Sequence, residues 1–316
     1  MIVVAGHLCL DIIPSIASGT EMQPGVLVEA GPAKLSTGGA VSNVGISLYK
    51  LGAEVGLVGR VADDAFGKII LDLLSPFGLE RGIRIAPNDA TSYTVVVSPP
   101  GHDRTFLHCP GCNDTFTADD VPNSVLEGAS HLHFGYPPLM AKMSANNGEE
   151  LVDLFTRAKG LGLTTSLDMS LPDPDSAQGR INWQALLSHV LPLVDYFVPS
   201  QDELAFMLSH VEQSVEALSE KCLQLGATTV VIKMGSQGLF GRTTTSTFYQ
   251  ACYSANVIGT TGSGDATIAG FLYGISQGLE FSECLKSGCA VGAFCVEAPD
   301  AVSGIPSWEG ILERMS

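Results

Sequence analysis

The sequence predicts an α/β fold: a mostly parallel central sheet with helices on both faces, plus a small β-sheet lid. Three observations lead there. Short, wholly apolar runs recur along the chain, as expected of strands buried on both faces. Segments with apolar residues at helical spacing separate them, which is the alternation that builds parallel βαβ units. Two stretches, about 12–37 and 84–110, break the alternation with β-branched residues, Gly and Pro and no helical period.

From the N-terminus, Ile2, Val3, Val4 and Ala5 form the first strand, followed by Gly6 and then Asp11. Val41, Val44, Leu48 and Leu51 stand at i, i+3, i+7 and i+10 and predict a helix that Gly52 stops. Residues 55–58 are the next strand, and Phe66, Ile69, Ile70, Leu73 and Leu74 mark the next helix. Residues 93–98 and 104–108 read as strands of the lid, which is expected to draw on 12–37 and 84–110. Leu151, Leu154, Phe155 and Ala158 mark a helix before a strand at 163–167. Trp183, Leu186, Leu187 and Val190 mark another before strands at 194–198 and 228–232. No long linker, charge block or solenoid-length repeat divides the chain, so residues 1–316 are expected to be a single domain carrying the lid.

Composition narrows the function. The chain has 316 residues, 45% apolar and 16% charged, enough for a substantial core and unlike a fibrous or low-complexity protein. Its 16 Lys plus Arg against 33 Asp plus Glu give 16 − 33 = −17, a charge that disfavours nucleic acid and anionic membranes as partners. No basic leader precedes the first strand and no apolar run approaches ~18 residues, so a cytoplasmic protein without a membrane span is expected. Its eight scattered cysteines read as reduced thiols rather than a disulfide framework. Asn113-Asp114-Thr115 matches a glycosylation sequon that such a protein would not use.

The most informative segment is Gly262-Ser263-Gly264-Asp265, which opens a helix continued by Ile268, Leu272 and Ile275. A helix N-terminus presents unpaired N–H groups, and glycines let a phosphoryl group approach them. Asp265 then reads either as a helix cap or as a base taking a proton from a hydroxyl that attacks phosphorus. Thr267 stands where GxGxxG needs its last glycine and no GxxxxGK[ST] occurs, which disfavours a dinucleotide dehydrogenase or a P-loop enzyme. Gly274, Ser276 and Gly278 have the GxSxG spacing but lie at a helix end, where Gly278 serves as a C-cap. Near the front, Gly38 and Gly39 lead into a helix with Asn43 in its first turn. That pattern is either a turn with its cap or a backbone approach to a polyhydroxylated ligand, with Asn43 and Asp11 bonding its hydroxyls. Cys109-Pro110-Gly111-Cys112 reads as a turn, and His131 and His133 as side chains buried beside the sheet.

Together these segments resemble the PfkB family of carbohydrate kinases, of ribokinase-like fold, over nearly the whole chain. Gly38-Gly39-Ala40-Val41-Ser42-Asn43, with Leu51-Gly52-Ala53 and Val58-Gly59-Arg60-Val61-Ala62-Asp63-Asp64-Ala65-Phe66-Gly67, looks like the first family signature. Thr260-Thr261-Gly262-Ser263-Gly264-Asp265-Ala266 looks like the second. Arg104-Thr105-Phe106-Leu107-His108 with Pro110-Gly111-Cys112-Asn113 resembles the lid strand and hinge, and Ile232-Lys233-Met234-Gly235-Ser236-Gln237-Gly238 the nucleotide-binding turn.

The resemblance implies an ATP-dependent kinase that moves the γ-phosphoryl of Mg-ATP to a hydroxymethyl group of a sugar. Asp265 would be the catalytic base, and the N–H groups of Gly262, Ser263 and Gly264 the anion hole. Asp11, Gly38, Gly39 and Asn43 would hold the sugar, and Arg104 either reaches the cleft from the lid or stays on its surface. Glu203 would position Mg2+ through water, with Ser200 standing where the family usually has Asn. Lys233, Gly235 and Gly238 would brace the nucleotide, and Cys289 would pack against adenine. Gly259 replaces an Asp that helps bind a monovalent cation, so potassium activation is expected to be weak or absent. The lid is expected to close over bound sugar and to offer a homodimer surface. Two further readings stay open: a nucleoside kinase of the same fold, with Tyr136 near the substrate rim, and a catalytically weak sugar-binding homologue.

Overall fold

The run Ile2–Gly6 (β1) is buried at every position and lies inside a nine-stranded sheet, as a wholly apolar strand requires. The computed structural model describes residues 1–17, 20, 24–97 and 105–316. Along the chain follow Cys9–Pro14 (β2), Ala33–Gly38 (β3), Val55–Ala62 (β4), Ile83–Ala86 (β5), Tyr93–Val97 (β6) and Thr105–Cys109 (β7). His131–Gly135 (β8), Thr164–Leu167 (β9), Tyr196–Phe197 (β10), Thr229–Lys233 (β11), Leu239–Thr243 (β12) and Thr247–Gln250 (β13) complete the set.

The large sheet has the order β13-β12-β11-β10-β9-β8-β1-β4-β5. Seven strands from β11 to β5 run parallel, and β12 and β13 close one edge as an antiparallel meander. Alternate residues of β1 feed the two cores: Val3 and Ala5 pack with Phe134, Phe155, Leu186 and Phe197, while Ile2 and Val4 pack with Val44, Leu48, Ile268 and Leu272. Helices Ala40–Leu51 and Ser263–Ser276 lie together in the second core, which brings the two glycine-led N-termini to one place. Gly52 ends the first helix in the left-handed conformation, its N–H bonding the carbonyls of Leu48 and Tyr49.

The lid is a separate four-stranded sheet, ordered β3-β2-β6-β7. It differs from the expected 12–37 and 84–110 in two ways. Its first strand begins at Cys9, and residues 84–86 belong instead to β5, paired in parallel with β4 at the edge of the large sheet. Ile83 and Ala86 are the buried positions of that short strand, so it completes the core rather than the lid. Residues 98 and 104, assigned to lid strands from the sequence, lie outside the described residues. The strand expected at 194–198 shortens to Tyr196–Phe197 because a 3-10 turn, Leu191–Leu193, immediately precedes it.

Asn113 is fully buried and clamps the backbone of Leu8, accepting from its N–H at 3.3 Å and donating to its carbonyl at 2.9 Å. The sequon is therefore a hinge brace. His131 and His133 are buried beside the sheet and share Ser166 Oγ at 2.7 and 2.8 Å. Among the described residues no helix is long and apolar enough to cross a membrane.

Candidate active site

Gly39 precedes the helix Ala40–Leu51 at φ 87, and a Cβ there would sit 2.5 Å from the His7 carbonyl oxygen and 2.6 Å from His7 Nδ1. Only glycine allows this approach. The same turn sets Asn43 one turn into the helix, buried, and lays the carboxylate of Asp11 against the backbone of Gly38.

Across the cleft, Gly262 caps the helix Ser263–Ser276 in the left-handed conformation at φ 74 and turns Asp265 inward, where it is 2% exposed. Asn43 Nδ2 donates to Asp265 Oδ2 at 2.9 Å, and the Tyr136 hydroxyl donates to Oδ1 at 2.8 Å. Burial pushes the Asp265 carboxyl above its ordinary value, against the pull of these two donors and of Lys233. Asn43 Oδ1 is buried without a partner, a vacant acceptor beside the carboxylate. Asp11 is pushed up to about 6, by burial first and by the negative charge of Asp265, while the Cys9 thiol donates to it at 3.4 Å.

Asp11, Gly39, Asn43, Glu203, Gly262 and Asp265 line one cleft of about 780 Å3, roofed by Phe106 and His108 of the lid. Ser200 and Glu203 form a capping box on the helix Gln201–Met207: Glu203 Oε2 accepts from the Ser200 N–H at 2.6 Å, and Ser200 Oγ from the Glu203 N–H at 3.2 Å. Ser200 thus spends its side-chain oxygen on the helix. Lys233 reaches beneath Gly264, its Nζ 3.7 Å from where a Cβ would stand, and bonds Asp168 Oδ1 at 2.6 Å. Burial pushes the fully enclosed Asp168 carboxyl well up, against the pull of Lys233. The lysine, which burial alone would lower, is held above its ordinary value by Asp168, Glu203 and Asp265.

Gly235, Gly238 and Cys289 gather away from that cleft, around the end of β13. Arg104 lies outside the described residues.

A profile of the pfkB family of carbohydrate kinases matches residues 1–308. The chain belongs to the PfkB family. It is similar to the 2-dehydro-3-deoxygluconokinase of Bacillus subtilis (strain 168), at 29% identity over 88% of this chain and 86% of that protein. It shares its fold with the Arabidopsis thaliana ribokinase solved with ribose and ATP, at TM-score 0.81 and 22% identity over 100% of this chain and 98% of that one. A putative ribokinase II from E.coli, solved with ATP and Mg+2, superposes at TM-score 0.80 and 23% identity over 99% and 98% of the two chains.

Sequence reasoning alone missed three groups in this PfkB kinase. Tyr136 was placed near the rim, but not as a partner of the Asp265 carboxylate. Asp168 follows β9, and a carboxylate just beyond the carboxyl end of a parallel strand is a signal that could have found it. His7 and His108 face each other across the lid boundary, their Nε2 atoms 3.4 Å apart, with His108 Nδ1 3.0 Å from Thr94 Oγ1. Nothing in the local pattern joins residues 101 positions apart.

Proposed function

We propose that this kinase transfers the γ-phosphoryl of Mg-ATP to a hydroxymethyl group of a sugar held beneath the lid, with Asp265 as catalytic base. The observation that carries the reading is a buried carboxylate in the first turn of a glycine-capped helix, each oxygen fixed by a donor from a different element. Asp11, Asn43 and the Gly38-Gly39 backbone hold the acceptor hydroxyls. One Asp265 oxygen removes the proton of the primary hydroxyl as its oxygen forms a bond to phosphorus. The bond to the β-phosphate bridging oxygen breaks, and ADP leaves. A carboxyl raised above its ordinary value is a stronger base than an ordinary one.

The N–H groups of Gly262, Ser263 and Gly264 face the charge that spreads over the transferring group. The Ser263 N–H bonds the Thr260 carbonyl at a long 3.3 Å, a contact weak enough for a phosphoryl oxygen to displace. Lys233 lies directly behind this cradle and adds a fixed positive charge. Glu203 lines the cleft and Asp168 Oδ2 is buried without a partner, so the donor set fits Mg2+ held through water. When bound, the ion neutralises charge on the phosphates. Lid closure over the acceptor excludes water as a competing nucleophile. Gly259 offers no carboxylate, so turnover should differ little between KCl and NaCl at equal ionic strength.

The test is ADP release from Mg-ATP across pentoses, hexoses, sugar acids and nucleosides, run beside Asp265→Asn. The name of the Bacillus subtilis relative puts keto-deoxy sugar acids first on that panel. Turnover with one acceptor, lost at least ~10²-fold in the variant, supports the reading. Turnover confined to nucleosides would replace the sugar acceptor, and binding without turnover would leave a sugar-binding homologue.

A further inference from the structure

The sulfurs of Cys252 and Cys289 come together from residues 37 positions apart in sequence. Cys252 lies just beyond β13, exposed, and its Sγ donates to the Gly235 carbonyl at 3.3 Å. Cys289 lies on the helix Phe281–Val296, 3% exposed, and its Sγ donates to the Gln250 carbonyl at 3.7 Å, two residues before Cys252. The two thiols are close enough for each to influence the ionisation of the other. Gly238 is pressed against the same strand end, where a Cβ would stand 2.9 Å from Cys252 N. The pair therefore joins the Gly235–Gly238 turn to the helix carrying Cys289, the two elements assigned above to the nucleotide.

Their chemistry is unequal. The neighbouring Cys289 draws the Cys252 thiol below its ordinary value, and its exposure leaves that sulfur open to attack an oxidant. Cys289 is pushed the other way, by its neighbour Cys252 and then by burial. Burial pushes Cys222, Cys284 and Cys295 up to about 12, which makes them inert. An exposed nucleophilic sulfur thus faces a buried resolving one.

We propose that Cys252 and Cys289 form a peroxide-sensitive disulfide at the adenine end of the nucleotide site, which switches the kinase off. The Cys252 thiolate attacks hydrogen peroxide, the O–O bond breaks, and with one proton taken up the products are a sulfenic acid and water. The Cys289 sulfur, giving up its proton, attacks that sulfenic sulfur. The S–O bond breaks, an S–S bond forms and a second water leaves. Two electrons pass from the protein to peroxide. The bond ties the end of β13 to the helix where adenine would pack, and a dithiol reductant reverses it. The effect on activity rests on the nucleotide reading given above; the disulfide itself does not.

The experiment treats the reduced full chain with hydrogen peroxide, blocks remaining thiols with N-ethylmaleimide and maps peptides by mass spectrometry. The expected product is a 252–289 cross-link two hydrogens lighter than the reduced peptides, reversed by dithiothreitol. It should form at least five-fold more slowly in saturating Mg-ATP. Cys252→Ser should keep the activity of the reduced protein, form no cross-link and resist peroxide. Cys252 advancing to sulfinic acid while Cys289 still takes N-ethylmaleimide would overturn the proposal. Calorimetry with Mg-ATP separates the two readings. If the reduced protein binds no nucleotide, the assignment of the nucleotide site fails, and the switch on activity fails with it. If reduced and cross-linked protein bind nucleotide equally, only the switch is refuted.

Discussion

The Tyr136 hydroxyl donates to Asp265 Oδ1 at 2.8 Å, from a residue whose backbone is held in the left-handed region at φ 65. A bulky residue in that region is strained, and the strain aims its ring at the carboxylate. Burial raises the Asp265 pKa and the hydrogen bonds from Asn43 and Tyr136 lower it. Tyr136→Phe removes one of the lowering donors, so the pKa rises further. As the proposed base, Asp265 acts ionised, so the acid limb of the kcat profile should move to higher pH in the variant. Rate profiles from pH 5 to 9 test this, and a limb moving to lower pH would contradict it.

Asp11 links the proposed acceptor site to stability. Its pKa is about 6 in the folded chain against an ordinary 3.8, a rise of about 2 units. A raised carboxyl binds protons more tightly folded than unfolded, so its contribution is complete below pH 4 and is lost as pH rises through 6. At 1.36 kcal/mol per unit the loss is at most about 3 kcal/mol above pH 6. Asp11→Asn should therefore raise the midpoint of thermal unfolding at pH 7.5 and leave it nearly unchanged at pH 4. The same substitution should raise the KM for the acceptor sugar, as should lowering the pH below 6 in the parent, because a protonated carboxyl accepts fewer hydroxyl bonds. Equal shifts in unfolding midpoint at both pH values would show that the Asp11 charge does not set its stability.

Gly39→Ala tests the turn that presents Asn43. The φ of 87 disfavours any side chain, and the new Cβ would meet the His7 carbonyl oxygen at 2.5 Å. Left-handed strain of about 1–3 kcal/mol combines with this overlap, so urea unfolding should show a loss of at least about 2 kcal/mol. A loss under about 0.5 kcal/mol would mean that the turn relaxes freely.

The fold was legible where a segment's own pattern decides its structure. Ile2 to Ala5, the helix stopped by Gly52 and the glycine-capped helix of Asp265 each carry their signal locally. The edges were not legible. Ile83–Ala86 is too short and half exposed to show a period, and only packing against β4 assigns it to the large sheet. The site divides in the same way. Asp265, Asn43 and Gly39 stand inside motifs, whereas Tyr136, Asp168 and His7 become part of the site through contacts spanning 65 to 129 residues. Ser200, standing where the family usually has Asn, accepts with its side-chain oxygen from the N–H of Glu203, a local bond that its place before a helix already suggests.

The Lys233–Asp168 pair separates stability from catalysis. The carboxylate is fully buried and the lysine 12% exposed, so removing one partner strands a charge with no water to receive it. Lys233→Met alone should therefore cost about 3–5 kcal/mol of stability. Pairing it with Asp168→Leu removes the stranded carboxylate and leaves two apolar groups in a closed site, so most of that stability should return. Activity should not return, because the positive charge beneath Gly264 is absent from both variants and the double variant also lacks the Asp168 oxygen proposed for Mg2+. Unfolding free energies and kcat measured on the parent, both single variants and the double variant form a cycle that tests each half. If kcat recovers along with stability in the double variant, Lys233 acts only as a strut beneath the anion cradle. If it stays depressed at least ~10-fold in the double variant while Asp168→Leu alone loses less, the lysine charge acts on the transferring phosphoryl.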